Sequence, residues 1–235
     1  MSAQAASRQR PLAWRHPQWW LVALAVVGWT IVLTTTPSAF VALCLAMGAS
    51  ENSQVIAGMG FLAHWLTMVA AMMLPLALPM ARHVAARSLW RDRHRAMGWF
   101  ALGYLTPWML AGAACGTIAW LVDGSRAAPI IACVLAAMWH WTPARRAALR
   151  RCHRILPVAP GGHEGGRSCL AFGLFHGGAC VTTCASLMVA VVLAGHHPAA
   201  MAVVALVTLA ERFWQRLPQA ALGAVPLALA ALQLS

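Results

Sequence analysis

The chain is a succession of long apolar runs separated by short arginine clusters, and that alternation constrains its fold more than any other feature. A bilayer core about 30 Å thick is crossed by about 20 mainly apolar helical residues. Runs of that order lie near residues 18–36, 58–81, 98–122, 127–142, 169–194 and 199–216, with a C-terminal seventh near 218–234. The fourth is short and flanked by Pro129 and Pro143. The expected fold is therefore all-α: a polytopic transmembrane helical bundle of about seven spans. Residues 1–17 form a basic N-terminal segment and residues 18–235 a single transmembrane domain.

Composition excludes the main alternatives. With 61% hydrophobic and 9% charged residues the chain is neither disordered nor built like a water-soluble domain. Its 17 basic residues are all arginine, and against five acids they give a net charge of +12. Nucleic acid is not the expected partner, because these arginines sit in short clusters between apolar runs rather than on a soluble basic face. Seven cysteines without the paired spacing of a small secreted scaffold argue against a disulfide framework. The first run follows Arg8, Arg10 and Arg15, so a secretory signal with a poor cleavage site at Pro37-Ser38-Ala39 is its alternative reading. Its length, and the tryptophans Trp14, Trp19 and Trp20 as an interfacial anchor, favour a retained span.

Arginine placement sets the expected orientation, since cytoplasmic segments near span ends collect positive charge. With the N-terminus inside, 16 arginines fall on the inner side and only Arg126 on the outer. This predicts a multi-pass protein of a bacterial inner membrane with a cytoplasmic N-terminus and a periplasmic C-terminus. The outer loops cover residues 37–57 and two short turns, one of them Gly195-His196-His197-Pro198. No internal repeat of the kind seen in inverted-repeat transporters stands out.

Inside the spans the informative residues are polar groups and soft ligands. The fifth run holds His176, Cys180, Cys184 and Met188, each four residues after the last. Steps of four advance about 400°, so these side chains form a slowly drifting ladder on one helix face. Imidazole, thiol and thioether together suit soft Cu(I) and are poor ligands for Mg²⁺ or Ca²⁺. Zinc, through the Cys and His members, is the alternative. The plainer account is packing: small Cys between helices, Met as gap-filler and His176 bonded to a neighbour's carbonyl. The second run repeats the spacing in His64, Met68 and Met72, followed by Met73, Pro75, Pro79 and Met80. Counted from the outer end, Met188 matches His64 in depth, Cys184 matches Met68 and Cys180 matches Met72. If the two helices touch, the ladders form one site or a short relay.

Secondary candidates are His196-His197 at an outer turn, Cys152-His153 in an inner basic loop and His140 at the end of the fourth span. Glu211, beside Arg212, is simplest as an ion pair with an arginine, and a coupling carboxylate is the sharper alternative. There is no Walker sequence, no GxGxxG and no Ser-His-Asp set, and Cys180 and Cys184 are spaced CxxxC rather than CxxC.

At these residues the chain resembles the DUF2182 family of predicted metal-binding integral membrane proteins, often labelled copper chaperones. The resemblance rests on Trp65-x-x-Met68-x-x-Ala71-Met72-Met73-Leu74-Pro75, on Thr142-Pro143 leading to a basic stretch with Cys152, and on His176-Gly177-x-x-Cys180-x-x-x-Cys184-x-x-Leu187-Met188. Gly195 and Glu211-Arg212, where the family tends to have Glu-Lys, complete it. The family usually has a paired cysteine followed by tryptophan in the fifth span, where this chain reads Thr183-Cys184-Ala185. It also usually carries Leu-Lys after Thr-Pro and a further cysteine before the one matching Cys152, where this chain has Ala144-Arg145-Arg146. One central thiol of the family is thus absent here.

Residues and resemblance together lead to an expected function: a non-enzymatic, soft-metal-binding membrane protein. The expected ion is Cu(I), with zinc as the alternative. It would act as a chaperone or insertion factor by ligand exchange along His176, Cys180, Cys184 and Met188 with help from His64, Met68 and Met72. Its expected partners are the metal ion, the lipid bilayer and a metal-donating or metal-accepting membrane or periplasmic protein, with no nucleic acid. The rival readings are a metal or small-solute permease using Glu211, a structural subunit whose sulfurs only pack, and a thiol oxidoreductase. The last requires a disulfide strained by the i, i+4 spacing of Cys180 and Cys184.

Overall fold

In the computed structural model the described residues are 16–35, 53–122, 125–213, 224 and 226–228. They form α1 (Trp19–Thr34), α2 (Ser53–Arg87), α3 (Arg93–Leu121), α4 (Ala128–His140), α5 (Pro143–Cys152), α6 (Gly162–Leu193) and α7 (Pro198–Phe213). No strand occurs among the described residues, so the all-α expectation holds. Six of the expected apolar runs coincide with α1, α2, α3, α4, α6 and α7. Two stretches, Gly58–Arg87 and Gly162–Leu193, are long and apolar enough to cross a membrane, whereas α1 and α4 are shorter apolar helices. The seventh run, 218–234, lies almost wholly outside the described residues, as do the N-terminal segment up to residue 15 and most of the first outer loop.

The helices differ in length in a way that shapes the interior. At 1.5 Å per residue, α2, α3 and α6, with 35, 29 and 32 residues, are roughly 45 to 50 Å long. The 13-residue α4 reaches only about 20 Å. The chain then reverses: Thr142 adopts an extended conformation, its hydroxyl accepts from the Arg145 amide at 3.2 Å, and Pro143 opens α5. Sequence reading takes this stretch as an inner loop. It is instead a short amphipathic helix with Arg145, Ala148 and Cys152 buried on one face and Arg146, Arg150 and Arg151 exposed on the other.

The closest helix pair is α3 with α6, and glycines bring their backbones together. A Cβ on Gly173 would collide with the Phe100 carbonyl oxygen, and one on Gly177 with that of Tyr104. Small residues at such a crossing allow close contact between apolar helices. The result presses Tyr104 of α3 against the middle of α6. Beyond α3, α6 also packs on α4, α5 and α7, while α2 packs on α1, α3 and α7. Trp65 of α2 donates to the Trp108 carbonyl of α3 at 2.7 Å. α2 and α6 meet through side chains: the His83 and Phe172 rings lie 6.2 Å apart, and Tyr104 bridges them deeper in the bundle.

Candidate metal centre

The ladder forecast for the fifth run exists on α6. His176, Cys180, Cys184 and Met188 are all buried. Cys180 and Cys184 are successive members of the ladder, one turn apart on the same face of α6. The Tyr104 hydroxyl lies 3.3 Å from Cys180 Sγ and 3.0 Å from the Met73 carbonyl oxygen, tying α2 and α6 together through α3. The hydroxyl has one proton to give. When it donates to the carbonyl, its oxygen can accept from the Cys180 thiol.

A third sulfur arrives from α5. Cys152, 1% exposed, lies 4.0 Å from Thr183 Oγ1, and the same hydroxyl is 3.4 Å from Cys184 Sγ. Thr183 thus stands between sulfurs of two helices. Sequence reading leaves Cys152 in a separate inner site. The signal that joins it to the centre is the spacing of Arg145, Ala148 and Cys152, which puts all three on one face of a helix.

Two arginines complete the surroundings. Arg145 of α5 is wholly buried and grips Glu211 of α7 with both ends of its guanidinium, Nη1 to Oε1 at 3.1 Å and Nη2 to Oε2 at 2.5 Å. Its Nε donates to the Thr183 carbonyl at 3.2 Å. The arginine that Glu211 pairs with is therefore Arg145 rather than its sequence neighbour Arg212. Arg212 turns the other way, donating to the Cys152 carbonyl at 2.7 Å and to His176 Nε2 at 2.9 Å. His140, also wholly buried, has Nε2 3.8 Å from Glu211. Trp139 Nε1 donates to the Thr182 carbonyl at 2.9 Å and holds α4 to the same level.

A family model described as PpoB2, copper chaperone, matches residues 62–235. The chain belongs to this copper chaperone family. Among curated proteins and among solved structures nothing matches it. The matched region begins just before His64, so every candidate ligand lies within the copper chaperone region and α1 lies outside it.

Within that region the seven forecast ligands are distributed unevenly. Met68, Met72 and Met188 are fully buried in one core cluster that also contains Cys180 and Cys184. His64 lies about three turns into α2, where its ring meets that of His196 from the turn after α6, with centroids 4.8 Å apart and planes at 71°. His196 is half-buried rather than solvated, and burial followed by the neighbouring His64 pushes its pKa down to about 4. His197 is exposed. Among the described residues, no three His, Cys, Asp or Glu side chains are gathered as a ready-made metal-binding group. The local reason at the thiol centre is visible: His176 presents Nε2 to Arg212, and Thr183 sits between the sulfurs of Cys152 and Cys184.

Proposed function

We propose that this copper chaperone is a multi-pass membrane protein of the DUF2182 type, holding Cu(I) between Cys180 and Cys184. Cys152 is the third thiol, through which the ion enters or leaves. His176, Met188, Met68, Met72 and His64 extend the path by ligand exchange, so the ion passes between soft groups without release to lipid. The observation that carries this reading is the placement of the Thr183 hydroxyl between the buried thiols of Cys152 on α5 and Cys184 on α6, with the buried Cys180 one turn along α6.

Charge balance favours Cu(I) over zinc at a two-thiol site. The Arg145–Glu211 pair is neutral as a unit, which leaves Arg212 as the buried cation beside the thiols with no carboxylate partner among the described residues. Cu(I) with two thiolates carries one negative charge and compensates it. Zn²⁺ with two thiolates is neutral and does not, and uncompensated buried charge is costly. The commitment of Glu211 to Arg145 favours a carrier over a permease that would need a free coupling carboxylate.

Large apolar side chains face outward on several helices, among them Leu33, Leu110, Trp120, Leu135 and Leu206. Surface of that kind belongs against lipid. Together with the arginine partition it supports an inner-membrane protein of seven spans, the last at 218–234, with a cytoplasmic N-terminus and a periplasmic C-terminus. The partners are a metal-donating and a metal-accepting protein, and the role is transfer rather than catalysis. Anaerobic Cu(I) loading of the detergent-purified chain, followed by metal analysis, tests the reading. The wild type is expected to retain about one copper per chain, the stoichiometry implied by a single soft site. Cys180→Ala/Cys184→Ala is expected to lose it, and equal copper in both overturns the proposal.

A further inference from the structure

The outer end of the bundle carries an imidazole pair that the thiol centre does not use. His64, on α2, is 7% exposed, and His196 lies over it from the turn after α6, edge to face. How the chain delivers His196 is informative. The end of α6 is closed by the Gly195 amide donating to the Val192 carbonyl at 3.2 Å and the His196 amide donating to the Val191 carbonyl at 3.0 Å. Gly195, at φ 83°, supplies the left-handed residue that such a helix end calls for. His196 stays left-handed as well, at φ 58°, and is the non-glycine residue with positive φ among those described. That second left-handed residue turns His196 inward over α2 while its neighbour His197 remains exposed. Backbone held in such a region by its surroundings clusters at ligand-binding positions.

Two neighbouring imidazoles, once one ring turns from the edge-to-face contact to bring its nitrogen beside the other's, form a different kind of site from a set of thiols. Imidazole nitrogen suits Cu(II) and Zn(II), and for a given nitrogen site Cu(II) binds most tightly of the first-row divalent ions. We infer that His64 and His196 form a second metal-accepting site at the outer end, separate from the thiol centre and selective for a divalent, nitrogen-preferring ion, Cu(II) above all. The assignment rests on copper being the cargo. The site occupies the end of α6 that leads down through Met188 to Cys184, and its remaining coordination positions are open to water or to a donor protein's side chain.

The test uses the full-length, detergent-purified chain carrying Cys180→Ala/Cys184→Ala, so that no dithiol reduces the probe. Cys180→Ser/Cys184→Ser serves if the alanine pair does not purify. One equivalent of Cu(II) sulfate is added, and binding is followed by titration and by electron paramagnetic resonance of the frozen sample. The expected spectrum shows superhyperfine splitting from two imidazole nitrogens. Loss of even an outer-sphere partner typically lowers metal affinity by roughly 10- to 100-fold, so His64→Gln and His196→Asn are each expected to lower it at least that much and to simplify the splitting. Asn is chosen at 196 because it tolerates the left-handed backbone. His197→Ala is expected to change neither affinity nor spectrum. The inference is overturned if no Cu(II) is held, if the splitting survives both substitutions, or if His197→Ala matches His196→Asn. Nitrogen-bound Cu(II) supports the imidazole site even when the thiol centre takes no Cu(I), and its absence overturns that site even when the thiol centre loads.

Discussion

The C-terminal end of α6 and its middle both gather side chains of metal-ligating type, yet they are held in opposite ways. At the C-terminal end of α6 two imidazoles meet across a turn and the start of the apolar stretch of α2, with an exposed histidine alongside. About 15 to 20 Å deeper, at 1.5 Å per residue, three thiols are enclosed by α3, α5, α6 and α7. There every nearby charge is tied down by hydrogen bonds. The difference lies in how the groups are held: the imidazole pair meets by ring contact near the end of α6, Met188 lies between, and the deeper thiols share their surroundings with His176, which is tied to Arg212. A borderline ion is best received where water still reaches, whereas an anionic thiolate complex needs a buried cation to stand beside it.

Breaking the charge arrangement of the deep region should have the largest effect. Glu211→Ala leaves Arg145 buried and unpaired, and the loss of one partner of a buried ion pair costs about 3 to 5 kcal/mol. Thermal unfolding in detergent is expected to show a lower midpoint. Arg145→Met/Glu211→Leu should recover most of the loss, and if it is as unstable as the single variant, the ion pair is not what matters there. Next, Arg212→Gln removes the cation that compensates a Cu(I) dithiolate while freeing His176. A competition titration with a Cu(I) chelator should show affinity weaker by about tenfold, or about 1.4 kcal/mol, with the outer Cu(II) site unaffected. A tightening would mean that release of His176 outweighs charge. The smallest expected effect is that of Tyr104→Phe. It removes one hydroxyl shared by Met73 and Cys180 and should lower stability by about 1 kcal/mol, again read as a shift in midpoint with unchanged Cu(II) binding at the rim.

How much of this is legible in the sequence depends on the distance over which information acts. The ladder on α6 is local: fourfold spacing on a helix places His176, Cys180, Cys184 and Met188 on one face whatever surrounds them. The helix order follows equally from apolar runs. α5 is harder, because a segment with four arginines in ten residues reads as a solvated loop. Its Thr142-Pro143 start and the one-sided placement of Arg145, Ala148 and Cys152 are nevertheless helix signals. For Glu211 the sequence points to an arginine partner without saying which, and adjacency is no guide. Neighbours on a helix point about 100° apart and do not face each other, so each found a partner on another element, Glu211 on α5 and Arg212 on both α5 and α6. The meeting of His64 with His196 is long-range and depends on a left-handed residue at the end of α6, which no run or period in the sequence announces.

The central claim is that copper sits on sulfur in the middle of the bundle. X-ray absorption at the copper edge of the wild-type chain, loaded anaerobically with one equivalent of Cu(I), tests it most directly. The account predicts a first shell dominated by sulfur that disappears in Cys180→Ala/Cys184→Ala. A first shell of nitrogen and oxygen alone in the wild type would contradict it.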